Sequence, residues 1–181
     1  MVILSGNLKN RRIPYHGNIK LVVRPTLSLV RKSLFSILDS HICGAVCLDL
    51  FCGTGSLGFE AVSRGASFVY FVDNNTLVLR GVRRFITVNA LDNVLVLPFS
   101  YAFFVSSCFI TFDYIFIDAP YSSFFCVFDI LAACYMLLNL HGVLYFENFK
   151  SLKANYFDTL GFNLYRFGVK GRVYFYLLER K

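Results

Sequence analysis

Short apolar runs alternate with amphipathic segments along most of this 181-residue chain. Runs with so few polar residues are typical of strands buried on both faces of a parallel sheet. They lie at 46–51, 68–73, 94–98, 113–118 and 142–148. Apolar residues at helical spacing separate them, at 25–41, 56–64, 75–90 and 122–138. The alternation predicts an α/β fold, a mostly parallel sheet with helices on both faces.

The two ends of the chain break this alternation. Near the C-terminus, runs at 162–167 and 173–179 flank a short turn, which predicts an antiparallel hairpin at one edge of a seven-stranded sheet. Before Pro25, short strand-like segments carry basic loops. We therefore expect a small basic β-hairpin extension over residues 1–24 and one main domain over residues 25–181.

Positive charge is concentrated at the start of the chain, which has a formal net charge of +7. Residues 1–38 contain seven basic residues and no acidic one, whereas the remainder contains eleven of each. A one-sided basic block indicates contact with a polyanion, although a solvated arm has the same composition. The seven residues are Lys9, Arg11, Arg12, Lys20, Arg24, Arg31 and Lys32.

The mean hydropathy of +0.58 raises the question of a membrane protein. Acidic residues interrupt the most apolar stretch, 101–140, so no run reaches the roughly 18–20 apolar residues of a spanning helix. The N-terminus lacks the order of charges in a signal peptide. We therefore expect a cytoplasmic protein with no membrane contact. The cysteine and histidine spacings predict no metal site.

A strand, a glycine-rich turn and a helix follow one another over Asp49–Gly58. Gly53, Gly55 and Gly58 would let a ligand approach the backbone, and the helix N-terminus offers free amides. Asp73 ends the next strand, where a carboxylate can accept both hydroxyls of a ribose. The spacing also satisfies the NAD fingerprint, and a tight turn with no ligand is the simplest alternative. Asp49 favours a cofactor with an ammonium and a sulfonium over a pyrophosphate.

The fourth predicted strand ends in Asp118-Ala119-Pro120-Tyr121, at the sheet edge where α/β proteins bind ligands. An exocyclic amine of a nucleobase is a poor nucleophile and needs two acceptors for its hydrogens. The Asp118 carboxylate and the Ala119 carbonyl can supply them, while Pro120 stiffens the turn. Tyr121 offers a face on which a base can stack.

Taken together, Asp49–Gly58, Asp73 and Asp118–Tyr121 resemble a class I S-adenosylmethionine-dependent methyltransferase with a Rossmann-like fold. The blocks Arg24–Phe35 and Asp49–Ala66 resemble more specifically the RsmD family of bacterial methyltransferases. That resemblance implies transfer of a methyl group to the N2 amine of a guanine in 16S ribosomal RNA, of the guanine-966 type. The implied partner is 16S rRNA in an assembling small subunit, and the implied state is a monomer.

The resemblance also implies roles for individual residues. Asp118, Ala119, Pro120 and Tyr121 would form the catalytic motif. The implied cofactor-binding residues are Asp49, Phe51, Gly53, Gly55, Gly58, Asp73, Asn74 and Ser100. The implied RNA-binding residues are Lys9, Arg11, Arg12, Arg24 and Arg31.

Two positions depart from the family pattern. Ala119 stands where the family usually has a first proline, and Ser100 stands where relatives usually carry Asp or Asn near the adenine. The alternatives are an adenine-N6 or other amino-methyltransferase acting on DNA, RNA or a small molecule, an NAD enzyme, and a non-catalytic RNA-binding relative.

Overall fold

The fold was determined as a computed structural model that describes residues 1–14, 25–119 and 127–181. Six α-helices lie in these ranges. They are α1 (Pro25–Leu38), α2 (Ser56–Ser63), α3 (Thr76–Val88), α4 (Tyr101–Ser107), α5 (Val127–Met136) and α6 (Ala154–Asp158). None of these helices is long and apolar enough to cross a membrane.

Seven strands form a single sheet in the order β3-β2-β1-β4-β5-β7-β6. The strands are β1 (Val46–Leu50), β2 (Phe68–Val72), β3 (Val94–Leu97), β4 (Phe112–Ile117), β5 (Leu138–Asn148), β6 (Phe162–Lys170) and β7 (Val173–Arg180). The first five pair in parallel, and β7 is antiparallel to both β5 and β6. The sequence-based prediction of a mostly parallel sheet with an antiparallel C-terminal hairpin is therefore confirmed.

The predicted helices and strands correspond closely to the observed ones. Two helices were not predicted, α4 and α6, because five to seven residues are too few to display helical periodicity. The predicted start of α5 at Ser122 lies outside the described residues. Two groups of buried side chains cover the faces of the sheet, one beneath α1, α2 and α3 and the other beneath α4, α5 and α6.

The N-terminal segment packs on the first of these faces. Its side chains Ile3, Leu8 and Ile13 are buried in the same core as α1 and α2. An antiparallel bridge joins Val2 to Arg12, which is a smaller strand pairing than the predicted hairpin. The predicted strand at 20–23 lies outside the described residues, so the division at residue 24 stays a prediction.

A buried carboxylate on α2 holds this segment in place. Glu60 is fully buried and accepts backbone hydrogen bonds from Leu4 N (2.9 Å) and Ser5 N (3.1 Å). Arg64 Nε donates to the other side of the same carboxylate at 3.1 Å. Ser63, one turn further along α2, accepts a bond from Leu8 N at 2.9 Å. The end of α2 therefore fixes the path of the basic N-terminal segment.

Arg31 takes part in the same cluster, and its burial there speaks against the predicted contact with RNA phosphates. Its side chain is only 4% exposed. Its Nη2 donates to the Val2 carbonyl oxygen at 2.6 Å, and its Nε lies 3.7 Å from Glu60 Oε2. Helical periodicity assigned Arg31 to an outer face, but the N-terminal segment covers that face of α1.

We expect Glu60→Ala to lower the free energy of unfolding by about 3–5 kcal/mol, because it leaves buried arginines and backbone amides without their acceptor. Urea denaturation measures the change. Glu179→Gln is the matched control, since Glu179 sits in a partly exposed pair with His141. An unfolding midpoint for Glu60→Ala equal to that of the unaltered chain would contradict the role assigned to Glu60.

Candidate active site

The carboxyl ends of four parallel strands bring most of the predicted site residues to one edge of the sheet. Asp49 lies near the end of β1, Asp73 directly follows β2, and Asp118 directly follows β4. Ser100 follows β3 after two intervening residues. Because parallel strands end at the same edge, residues far apart in sequence meet there.

Asp49 lies beneath the start of α2. It is only 2% exposed, and its Oδ2 accepts a hydrogen bond from Gly58 N at 2.8 Å. Burial raises the pKa of Asp49 well above its ordinary value, and the nearby carboxylates of Asp118 and Asp73 raise it further. The Gly58 bond acts in the opposite direction. This carboxylate is therefore costly to ionise unless positive charge comes close to it.

Two of the three glycines are needed for helix packing. A Cβ built on Gly58 would lie 2.3 Å from the Phe71 ring and 3.0 Å from Asp49 Oδ2. One built on Gly55, which has a φ of 76°, would lie 2.8 Å from the Phe59 ring. Glycine at these two positions lets α2 approach β1 and β2 closely enough for the Asp49 bond.

Gly53 and Phe51 lie in the turn itself, and both have a positive φ. A Cβ on Gly53 would approach no other described atom more closely than Phe51 O, at 4.0 Å, so no described side chain covers this side of Gly53. Phe51 has a φ of 65°, a strained value for a bulky side chain. Such strain clusters at functional sites. The Phe51 ring lies 5.4 Å from the ring of Tyr101, between their centroids.

Asp73 joins the glycine turn to the second strand. Its Oδ2 accepts a bond from Gly53 N and its Oδ1 one from Asn75 N, both at 2.8 Å. A carboxylate has about four acceptor positions, so each oxygen keeps capacity for a ribose hydroxyl. The neighbouring Asn74 is exposed. The assignments of Asp73 and Asn74 to the cofactor stay predictions.

Ser100 has a structural task at this edge. Its hydroxyl accepts a bond from Phe103 N at 3.3 Å and caps the N-terminus of α4. The residue is exposed and lies beyond β3. Its predicted place near an adenine stays a prediction, and the helix that it caps was not foreseen.

Asp118 and Ala119 are half-buried just beyond β4, whereas Pro120 and Tyr121 lie outside the described residues. In the register of the sheet Ile117 pairs with Phe146, so Asp118 and Glu147 come next to each other at the edge. Glu147 is 4% exposed and accepts a bond from the Tyr145 hydroxyl at 2.5 Å. Glu147 is not among the predicted site residues, although an acid near the end of an apolar strand is a visible signal in the sequence.

The edge therefore combines an open glycine turn with several carboxylates. This arrangement favours a ligand that is cationic near Asp49 and carries hydroxyls near Asp73, which fits S-adenosylmethionine. Among the described residues, no three His, Cys, Asp or Glu side chains group closely enough to hold a metal ion. Burial raises the pKa of the neighbouring Cys52 thiol, and Asp49 and Asp73 raise it further, so Cys52 is a poor nucleophile.

The basic residues of the N-terminal segment lie away from this edge. Lys9, Arg11 and Arg12 are exposed, and Arg11 Nη1 donates to Asn89 Oδ1 at 2.5 Å. Asn89 ends α3, which begins at the active-site edge and runs for 13 residues. At 1.5 Å per residue, α3 separates Arg11 from the edge by roughly 20 Å. Arg24 lies outside the described residues.

Comparison with known proteins gives a consistent result. Residues 1–178 match the family model described as "Conserved hypothetical protein 95". The ribosomal RNA small subunit methyltransferase D of Buchnera aphidicola (from Acyrthosiphon pisum) is 47% identical over 66 residues. That alignment covers 36% of this chain and 34% of the Buchnera protein, so the chain spans about one third of this relative's length.

Solved structures of methyltransferases resemble this fold over most or all of the chain. One described as "Putative methyltransferase yhhF from Escherichia coli" is 25% identical with a TM-score of 0.85, covering 100% of this chain and 98% of that one. The crystal structure of SMU.776, "a putative methyltransferase complexed with SAH", is 16% identical with a TM-score of 0.64, covering 83% and 48% of the two chains. At that identity the likeness to SMU.776 concerns the fold alone. The fold is a Rossmann-like methyltransferase fold, as the sequence predicts.

We expect Asp49→Asn to raise the free energy of unfolding at neutral pH. The raised pKa means that the ionised carboxylate destabilises the folded state above the pKa of the unfolded chain. That cost disappears as the pH falls and the folded state takes up a proton. Urea denaturation between about pH 5 and pH 8 measures the difference from the unaltered chain. The difference in free energy of unfolding should be larger at pH 8 than at pH 5. A difference independent of pH would contradict the raised pKa of Asp49.

Proposed function

Because the chain belongs to the family described as conserved hypothetical protein 95, the RsmD family, we propose that it is an S-adenosylmethionine-dependent methyltransferase of small-subunit ribosomal RNA. We further propose that the accepting atom is the exocyclic N2 of a guanine in 16S rRNA. The observation that carries the proposal is the meeting of Asp49, Asp73 and Asp118 around an open glycine turn at one sheet edge.

S-adenosylmethionine would supply an electrophilic methyl group on a sulfonium. Asp49 would face the cationic methionine end, where its carboxylate gains most from positive charge. Asp73 would accept the ribose hydroxyls with its remaining acceptor capacity. Gly53 and Phe51 would line the binding surface between them, since no described side chain covers Gly53.

The amine would be oriented by Asp118 and the backbone carbonyl of Ala119. Two acceptors fix both hydrogens of the amine and so direct its lone pair towards the methyl group, which is a gain from positioning. As the lone pair of the amine forms the new bond to the methyl carbon, the bond from that carbon to sulfur would break and leave a neutral thioether, and positive charge would develop on nitrogen. The Asp118 carboxylate stabilises that charge and can then accept the proton that leaves. The substitution of Ala119 for proline retains the carbonyl.

The RNA would extend from this edge towards the basic N-terminal segment. Lys9, Arg11 and Arg12 remain candidates for phosphate contacts because they are exposed, and the distance along α3 favours contacts with RNA beyond the target nucleotide. The proposed substrate is an assembling small ribosomal subunit, and the proposed acting form is a monomer.

We expect Asp118→Ala to reduce methyl transfer at least about 100-fold, because a charge-stabilising acceptor is lost at the reacting atom. Transfer of radiolabel from S-adenosylmethionine to immature small subunits measures the rate. Calorimetric binding of S-adenosylmethionine should change little, since Asp118 contacts the amine. Retained transfer by Asp118→Ala would remove Asp118 from catalysis. The control is Asp129→Ala, an exposed acid on α5 that should leave the rate unchanged.

We expect the affinity for S-adenosylmethionine to fall as the pH is lowered. The ionised form of Asp49 attracts the cationic cofactor, and its raised pKa means that protonation begins at a higher pH than for an ordinary aspartate. Calorimetry across pH measures the dissociation constant. Asp49→Asn should bind more weakly at neutral pH and with a flatter pH profile. If Asp49→Asn leaves the pH dependence of the dissociation constant unchanged, the proposed contact between Asp49 and the cofactor is contradicted.

A further inference from the structure

We propose that the β6–β7 hairpin and the loop after β5 form a second basic surface, which binds single-stranded RNA beside the active site. This inference rests on the proposed function for its substrate class. We call the surface the hairpin surface. It consists of Lys150, Lys153, Phe167, Lys170 and Arg172.

Strand register brings the hairpin to the active-site edge. Asn148, the last residue of β5, pairs with Tyr174, and Lys170 pairs with Val173. The turn between Lys170 and Val173 therefore projects beyond the end of β5. Glu147, next to Asn148, lies beside Asp118 in the sheet. At about 3.3 Å per residue and 4.8 Å per strand, Arg172 lies about 10 Å beyond Asp118 and about 10 Å across the sheet.

The segment from 149 to 153 also lies at the active-site edge, next to the hairpin. Lys150 is two residues past the end of β5, and Lys153 precedes α6. Leu152 N donates to the Tyr176 hydroxyl at 2.8 Å, which ties this loop to β7. All four basic side chains of the hairpin surface are exposed.

The local charge is strongly one-sided. Residues 149–178 contain five basic residues and one acid, Asp158. Asp158 pairs with Lys181 at the opposite edge of the sheet, near the start of β6. Residues 39–181 have equal numbers of acidic and basic residues, but the two kinds lie in different places. Acidic side chains lie at the active-site edge beside Asp118, and the basic side chains of the hairpin surface lie beyond that edge.

Exposed aromatic surface favours RNA in single-stranded form. Phe167 is 47% exposed, and its ring lies parallel to that of Tyr174 with centroids 6.2 Å apart. Tyr165 and Val169, also on β6, are 60% and 49% exposed. Basic side chains beside aromatic faces are the combination that binds unpaired nucleotides, through phosphates and base stacking. Arg166 lies along the edge strand, as a charge that protects an edge would, whereas Lys170 and Arg172 flank the tip of the hairpin.

The test is the salt dependence of RNA binding by the full chain carrying Lys150→Gln, Lys170→Gln and Arg172→Gln together. The probe is a labelled single-stranded transcript of small-subunit rRNA. We expect the slope of log K against log salt to become shallower by about 2–3, and the dissociation constant to rise about tenfold or more. Phe167→Ala alone should weaken binding and leave the slope unchanged, because stacking releases no counterions.

The control removes two exposed charges that lie on other surfaces, with Arg83→Gln and Lys181→Gln. Its slope should stay close to that of the unaltered chain. An unchanged slope for the hairpin variant would overturn the inference, as would equal loss of slope in both variants. Tighter binding of duplex DNA than of the RNA transcript would also overturn it. All variants must unfold at the same urea midpoint to be compared.

Binding and catalysis separate the two proposals. If the hairpin surface acts as inferred, the hairpin variant should raise the KM for rRNA and retain kcat at saturating RNA. If the unaltered chain transfers no methyl group, the proposed function fails, but the slopes still decide whether the hairpin surface binds RNA.

Discussion

The hydrogen bond between Gly58 N and the buried Asp49 carboxylate is the contact on which the rest of this structure depends. It requires α2 to sit so close to the sheet that a single added carbon at Gly58 would collide with Phe71. That close approach holds the glycine turn next to the end of β1. The other end of the same helix, at Glu60 and Ser63, fixes the N-terminal segment. One short helix therefore positions both the glycine turn and the basic N-terminal segment.

Charged side chains at the active-site edge form two layers of opposite sign. The inner layer consists of carboxylates at the ends of neighbouring strands, and their mutual repulsion makes the site receptive to a cation. The outer layer, on the hairpin surface, is basic and suited to phosphates. A cationic cofactor can then bind at the carboxylates, and a polyanionic substrate can bind beside it at the basic surface.

Much of this arrangement could be predicted from the sequence, because its signals are local. Buried parallel strands appear as apolar runs, and the turn at Gly53–Gly58 together with Asp73 and Asp118 follows from the rule that parallel strands end at one edge. Other features depend on tertiary contacts. Arg31 has the spacing of an exposed helical residue and is buried only because the N-terminal segment covers it. The position of Arg172 depends on β7 inserting between β5 and β6, which no local pattern encodes.

We propose that this edge methylates an amino group of small-subunit rRNA at guanine N2. The most direct test is mass spectrometry of nucleosides from rRNA incubated with the unaltered chain and isotopically labelled S-adenosylmethionine. We expect label in N2-methylguanosine, at a single position of 16S rRNA. Label in N6-methyladenosine, or no labelled nucleoside at all from immature small subunits, would contradict it.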